Sequence, residues 1–246
     1  MSRISSSSAA CPSCVKRPAI VGRNFHESGE LLHRHMHAQG FFALVLGGSY
    51  VEAGDTGRHR VEAGDVIVHQ PFERHLDRFS AGGAAVLVLP LLDKWPDAAL
   101  ARVGDPDSIV RLAERDVVAA SEALAGAMIE KPSRVEDWPD LLARDLLAEP
   151  GLALSYWAQR HGLHPGSLAR GFGQEFGISP AAFRTAVRSR RAVRRIVSGV
   201  APLCAIASEE GFADQAHMSR AIKHATGLSP RALRRRLAME RRPRRA

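Results

Sequence analysis

Apolar positions between Val21 and Leu92 gather in short runs, FFALVLGGSYVEAG, HRVEAGDVIVHQPFERH and GGAAVLVLPLL, punctuated by Gly47-Gly48, Gly54-Asp55, Gly64-Asp65 and Gly82-Gly83. Runs of this length bounded by turn residues predict short strands, and their spacing predicts a barrel or a sandwich. The pattern changes after Asp93. Acidic and apolar positions alternate through SIVRLAERDVVAASEALAGAMIE, which predicts one amphipathic helix beginning near Asp107. Such a stripe packs on its own β-layer or against a second copy of the chain. Beyond Trp138 the apolar period becomes helical: Leu168, Phe172 and Phe176 recur at i, i+4, as do Met218 and Ile222. These stripes are expected to be core.

The helical half contains an imperfect repeat. Leu154-x3-Ala158-x3-Gly162-Leu163 returns as Leu203-x3-Ala207-x3-Gly211-Phe212, and Gly177-Ile-Ser-Pro180 as Gly227-Leu-Ser-Pro230, at offsets of 49 and 50 residues. Two copies are too few for a solenoid. Each has the spacing of a helix-turn-helix: a short helix with a small inner residue (Ala158, Ala207), a Gly where the chain leaves it (Gly162, Gly211), and a second helix. Pro165 suits the first turn of one second helix and Asp214 the N-terminus of the other. Ala153 stands at a cap position where Ser is common, so one capping interaction is absent. The basic stretch between the copies predicts a linker helix from about Pro180 to Ser198.

Composition narrows the class. Of 246 residues 45% are hydrophobic and 24% charged, which excludes disorder, collagen and coiled coil. The longest apolar run, Ala84 to Leu92, has nine residues and contains Pro90, too short for a membrane span. No hydrophobic segment precedes Cys11, so neither a signal peptide nor a lipid anchor is expected, and three cysteines are too few for a disulfide scaffold. A cytoplasmic location follows as an expectation. Cys11-Pro-Ser-Cys14 has metal or thiol-redox spacing but no second pair. The net charge of +8 is uneven: residues 138–246 hold 19 Lys and Arg against 8 Asp and Glu, residues 1–137 hold 15 against 18. The basic half suits a polyanion, most commonly nucleic acid. Its tail, from Arg234 to Arg245, is expected to contact phosphate.

Candidate base-reading groups lie on the helix faces turned away from the apolar stripes. In the second copy these are Gln215, Ala216, Ser219, Arg220 and Lys223; Gln suits an adenine edge, Arg a guanine, and Ser or Lys a base or phosphate. The first copy offers Ser167, Arg170 and Gln174. It is thin in reading side chains, and its glycines Gly166, Gly171 and Gly173 each cost about 0.5–1 kcal/mol of helix stability relative to Ala. At these residues GFADQAHMSRAIKHATGLSPRALRR resembles the C-terminal signature of the AraC/XylS family of bacterial transcription regulators. EPGLALSYWAQRHGL and FRTAVRSRRAVRRIVSG extend the resemblance over residues 138–237. It implies two recognition helices held side by side by the linker helix, entering successive major grooves about 34 Å apart. It also adds Arg188 of the linker helix to the DNA-binding set, and implies double-stranded promoter or operator DNA, a homodimer and RNA polymerase as partners.

His33-x-His35-x-His37, followed by Ala63-Gly-Asp-Val-Ile-Val-His-Gln-Pro71-x3-His75, resembles the two motifs of the cupin barrel, a sensor fold that commonly precedes AraC-type domains. In metal-binding cupins two His, a Glu a few residues later and a distant His hold the ion. His35, His37 and His75 could supply the imidazoles, but Phe41 or Phe42 stands where the Glu is expected. The reading adopted is a pocket for a small organic effector formed by His35, His37, Phe41 and His75, with His33 and His69 at its rim. A divalent metal on His35, His37 and His75 is the lesser alternative, and no cofactor is required.

The expectation is an α+β chain of two domains. A tail (1–20) leads to a cupin-like antiparallel β-barrel that senses the effector (21–92). A helical linker that could serve dimerisation (93–137) joins it to an all-α domain with two helix-turn-helix units joined by a linker helix (138–237), and a basic tail (238–246) ends the chain. Its expected function is effector-responsive, sequence-specific transcription regulation without membrane contact and without enzymatic activity. The competing reading is a metal-dependent cupin enzyme, or a metal sensor, fused to a DNA-binding domain.

Overall fold

The computed structural model describes residues 15–16, 19–92 and 98–240; the Cys11–Cys14 pair and the arginines from Arg241 onward lie outside the described residues. Nine strands form one sheet: β1 (Val15–Lys16), β2 (Gly22–His26), β3 (Leu31–Met36), β4 (Phe41–Gly54), β5 (Gly57–Glu62), β6 (Asp65–His69), β7 (Arg74–Pro90), β8 (Leu100–Arg102) and β9 (Ile129–Glu130). The order is β1-β3-β7-β4-β6-β8-β9, with β2 also on β7 and β5 also on β4; every pairing is antiparallel except β1 on β3. The long strands β4 and β7 pair from end to end and curl the sheet round an interior.

Alternation along β4 explains its unbroken apolar run. Phe41, Ala43 and Val45 face the interior with Ile67, Val86 and Val88, whereas Phe42 and Leu44 face outward with Val66, Leu87 and Leu89. A strand buried on both faces has no polar side to show. The outer face is covered by α1 (Pro106–Ala113) and α2 (Val117–Ala127), through Ile109, Ala120 and Leu124. Here the structure corrects the expectation of one helix: Asp116 accepts from Val118 N and Ala119 N, each at 2.9 Å, and so caps a second helix where the first ends. The apolar stripe expected to serve dimerisation is buried on the chain's own sheet. The sheet itself continues past residue 92, since β8 pairs with β6 and β9 with β8.

Seven helices follow: α3 (Trp138–Ala148), α4 (Leu154–Arg160), α5 (Pro165–Phe176), α6 (Pro180–Ser198), α7 (Leu203–Glu209), α8 (Gln215–Thr226) and α9 (Pro230–Glu240). Among the described residues no helix is long and apolar enough to cross a membrane. The pairs α4–α5 and α7–α8 are the two helix-turn-helix units, and Gly162 and Gly211 take φ of +64° and +73° where the chain leaves α4 and α7. Helix α6 belongs to two cores at once. Its Phe183 and Val187 pack with Leu142, Leu168, Phe172 and Phe176, while Ala192 and Ile196 pack with Ile206, Met218 and Ile222. One rigid helix thereby sets the spacing of the two units. The first of these cores also takes in Ala53 of β4 and Leu76 of β7, so it straddles the sheet and the helical domain.

The glycines of α5 divide by what surrounds them. A Cβ on Gly171 would lie 2.5 Å from the Trp138 ring, so the glycine is there to admit that ring; a Cβ on Gly173 would meet only Ile178 O, at 3.9 Å. Gly171→Ala is expected to destabilise the chain by about 1–3 kcal/mol through overpacking. Gly173→Ala should stabilise it by about 0.5–1 kcal/mol through helix propensity. Urea denaturation of the two variants checks both signs.

Candidate nucleic-acid interface and sensor cavity

Both second helices present an exposed face opposite a buried one. Leu168, Phe172 and Phe176 of α5 and Met218 and Ile222 of α8 are buried, while Ser167, Arg170 and Gln174 on α5 and Gln215, Ala216, Arg220 and Lys223 on α8 are exposed and Ser219 is half-buried. Asp214 caps α8 by accepting from His217 N at 2.6 Å, and His164 caps α5 through Gly166 N at 3.1 Å. Ala153 makes no side-chain cap for α4. Arg188 does not share the reading face. It is half-buried on α6 and donates to Pro150 O at 2.6 Å, and burial beside the Arg184 guanidinium pushes its pKa below the ordinary arginine value.

Arg188 is one of several arginines turned inward. Arg184 and Arg191 of α6 donate to the carbonyls of Leu152 and Leu147, and Arg234 of α9 donates to Ala201 O at 2.7 Å. Arg195 pairs with Glu209 and Glu210. Leu147 O lies in the last turn of α3, where carbonyls lack intrahelical partners and carry the negative end of the helix dipole, whereas Pro150 O, Leu152 O and Ala201 O are loop carbonyls outside any helix. Much of the basic charge counted from the sequence therefore holds the domain together, and the part offered outward on α5 and α8 is Arg170, Arg220 and Lys223.

Inside the curled sheet lies a cavity of about 260 Å3, into which His35 and His37, Phe41 and Glu52, His69, and His75 and Asp77 project from β3 and the residue after it, β4, β6 and β7. Leu32, Ala43, Tyr50, Phe79, Val86 and Val88 complete an apolar wall. The predicted pocket residues His35, His37, Phe41 and His75 are thus brought together; of the two phenylalanines only Phe41 lines the cavity. His69 lies within rather than at the rim, 2% exposed and stacked on Phe41 with ring centroids 4.2 Å apart, while His33 faces solvent.

Glu52 was not foreseen. Its carboxylate is 1% exposed, with Oε2 3.4 Å from His69 Nε2, and burial raises its pKa to about 8 against the opposing pull of Arg34. Burial likewise lowers the pKa of His69, and that of His75 well below the ordinary value, with the neighbouring histidines acting in the same direction on His75. Counting alternate residues from Phe41 would put Glu52 outside, but the β4–β7 register shifts between Val45 and Gly47 and again between Gly48 and Tyr50, turning Tyr50 and Glu52 inward.

The strands that line the cavity also grip the helical domain. Arg34, next to His35, donates to Phe176 O at 3.0 Å and pairs with Asp55. Arg78, next to Asp77, donates to Glu175 O at 3.0 Å and to Gln174 O. Arg74, next to His75, donates to Ala225 O at 3.0 Å and His224 O at 3.3 Å. These are the C-terminal carbonyls of α5 and α8, the second helices of the two helix-turn-helix units.

Residues 157–236 match the family model described as "Helix-turn-helix domain". The chain carries a helix-turn-helix domain. No curated protein matches the chain. Among solved structures, the chain is similar to the C-terminal domain of AraT, a response regulator from Geobacillus stearothermophilus, with 29% identity over 42% of this chain and 88% of that one and a TM-score of 0.39. It is also similar to unsaturated fatty acid-bound ToxT from Vibrio cholerae, with 10% identity over 86% of this chain and 92% of that one and a TM-score of 0.39. A probable AraC family transcriptional regulator from Rhodopseudomonas palustris is 20% identical over 39% of this chain and 93% of that one, with a TM-score of 0.37. In this helix-turn-helix domain α5 and α8 are the paired second helices and α6 their common spacer.

Proposed function

We propose that the chain is a sequence-specific transcription regulator in which a small effector, bound in the β-domain cavity, sets how the two recognition helices are presented to DNA. The observation that carries this reading is the alternation along β3 and β7. His35, His75 and Asp77 line the cavity, while their neighbours Arg34, Arg74 and Arg78 hold the ends of α5 and α8. Any ligand that shifts those strands shifts both helices, and it acts through its different affinity for the two arrangements.

Arg74 and Arg78 make the better test, because Arg34 also compensates the buried Asp55. Sequences bound by the full-length chain are first selected from a random duplex pool at near-physiological salt, where two boxes about one helical turn, or roughly 34 Å, apart are expected. Affinity for the selected site is then compared between wild type, Arg74→Ala and Arg78→Ala. A change of about 5–150-fold is the range of ordinary allosteric coupling. Unchanged affinity in both variants would refute control through the helix ends, and a pool without enrichment, with and without candidate effectors, would refute sequence-specific binding.

A further inference from the structure

We propose that Glu52, His69 and His75 form a binding site for one divalent transition-metal ion at the polar end of the β-domain cavity. Each residue offers one donor atom, the three donors lie within 4.8 Å of one another, and all three residues are buried. They come from β4, β6 and β7, and β4 pairs with both of the other strands, so the cluster is held by the backbone. Phe41 stacks on the His69 ring and fixes its plane.

The cluster is incomplete as protein alone. Glu52 Oε1, His69 Nδ1 and His75 Nδ1 are buried with no hydrogen-bond partner, and the His69–Glu52 approach of 3.4 Å is long for a hydrogen bond. A buried acceptor or donor left unmade is costly, and each of the three residues carries one. Two imidazoles and a carboxylate are a borderline donor set suited to zinc, nickel, copper or iron, and a poor one for magnesium or calcium. A dication also compensates the carboxylate. His35 and His37 form a second triad with His75, again within 4.8 Å, and stand ready to complete the shell around the shared histidine.

The sequence pattern that resembles metal-binding cupins lacks its carboxylate at Phe41 and Phe42. Glu52 stands outside that pattern and supplies the missing carboxylate from another part of the same strand, with His69 beside it on the neighbouring one. The inference deepens the sensing role proposed above by naming the ligand class. It rests on that role only for its regulatory consequence.

The test uses the full-length chain, stripped with chelator and titrated calorimetrically with Zn2+, and with Co2+ to read ligand type from the absorption spectrum. One ion per chain is expected, with a cobalt spectrum of nitrogen and oxygen ligands. Glu52→Gln and His69→Phe should each weaken binding by more than the roughly 10–100-fold typical of an outer-sphere partner, while His33→Ala leaves it unchanged. Near-ultraviolet circular dichroism of the stripped variants checks folding, and the wild-type titration stands whether or not a variant folds. Absence of saturable binding by wild type overturns the site, as does unaltered binding in folded Glu52→Gln. One ion bound with DNA affinity unchanged supports the site and counts against sensing, so the two readings fail separately.

Discussion

Arg58→Ala should cost the chain about 3–5 kcal/mol of stability, the loss typical of removing one partner from a buried ion pair. From β5 the Arg58 side chain, 10% exposed, reaches three carboxylates of the helical domain: Asp140 at 2.7 Å, Asp137 at 2.7 Å and Glu175 at 2.5 Å. Asp140 is itself buried and also accepts from Glu136 N at 2.9 Å. Truncating Arg58 leaves that carboxylate in a low-dielectric setting without its cation, and exposed Asp137 and half-buried Glu175 contribute less to the loss. The neighbouring pair on the same strand, Arg60 with Glu136, is open to solvent on both sides, so Arg60→Ala should stay within about 0.5 kcal/mol of wild type. Urea titration of both variants measures the contrast. Trp138 and Trp157 sit at the core that Arg58 helps close and report its opening by fluorescence. A loss below about 1 kcal/mol for Arg58→Ala would mean that the sheet and the helical domain are not joined through this residue.

The helical half was legible because its chemistry is local. Gly162 and Gly211 mark turns that need positive φ, the stripes at Leu168, Phe172, Met218 and Ile222 follow one helical period, and α6 runs from Pro180 to Ser198 as the basic stretch suggested. Where the reading fell short, the deciding contacts are long-range. Glu52 reaches the cavity only because of register shifts that no local pattern announces. Arg184, Arg188 and Arg191 look like a phosphate-binding surface in sequence, yet each donates to a carbonyl more than 30 residues away. Gly171 read as a weak point in a helix, and it is the gap that receives Trp138. One local signal was available and missed: Asp116 is an N-cap residue in the middle of the supposed single helix, followed by Val117 and Val118.

The inward turn of the linker arginines sharpens what the recognition helices must do, and Arg220 on α8 is the residue where specificity should concentrate. It is exposed beside Gln215 and Lys223, on a helix whose N-terminus Asp214 caps and whose C-terminus Arg74 holds. A guanidinium so placed can bond the two acceptors of a guanine in the major groove. Arg220→Ala is expected to cost about 1–3 kcal/mol of binding to the selected site and to relax preference at one base position. Lys223→Ala should weaken binding to all sequences alike and reduce the salt slope by about one. Arg188→Ala makes the informative third arm. Its guanidinium is spent on Pro150 O, so its loss should lower stability while leaving the preferred sequence intact. Repeating the duplex selection with each variant, and measuring affinity across salt, separates the three. If Arg220→Ala kept the wild-type base preference, reading would have to come from Gln215 or from the sparse face of α5, where Arg170 is the one exposed cation.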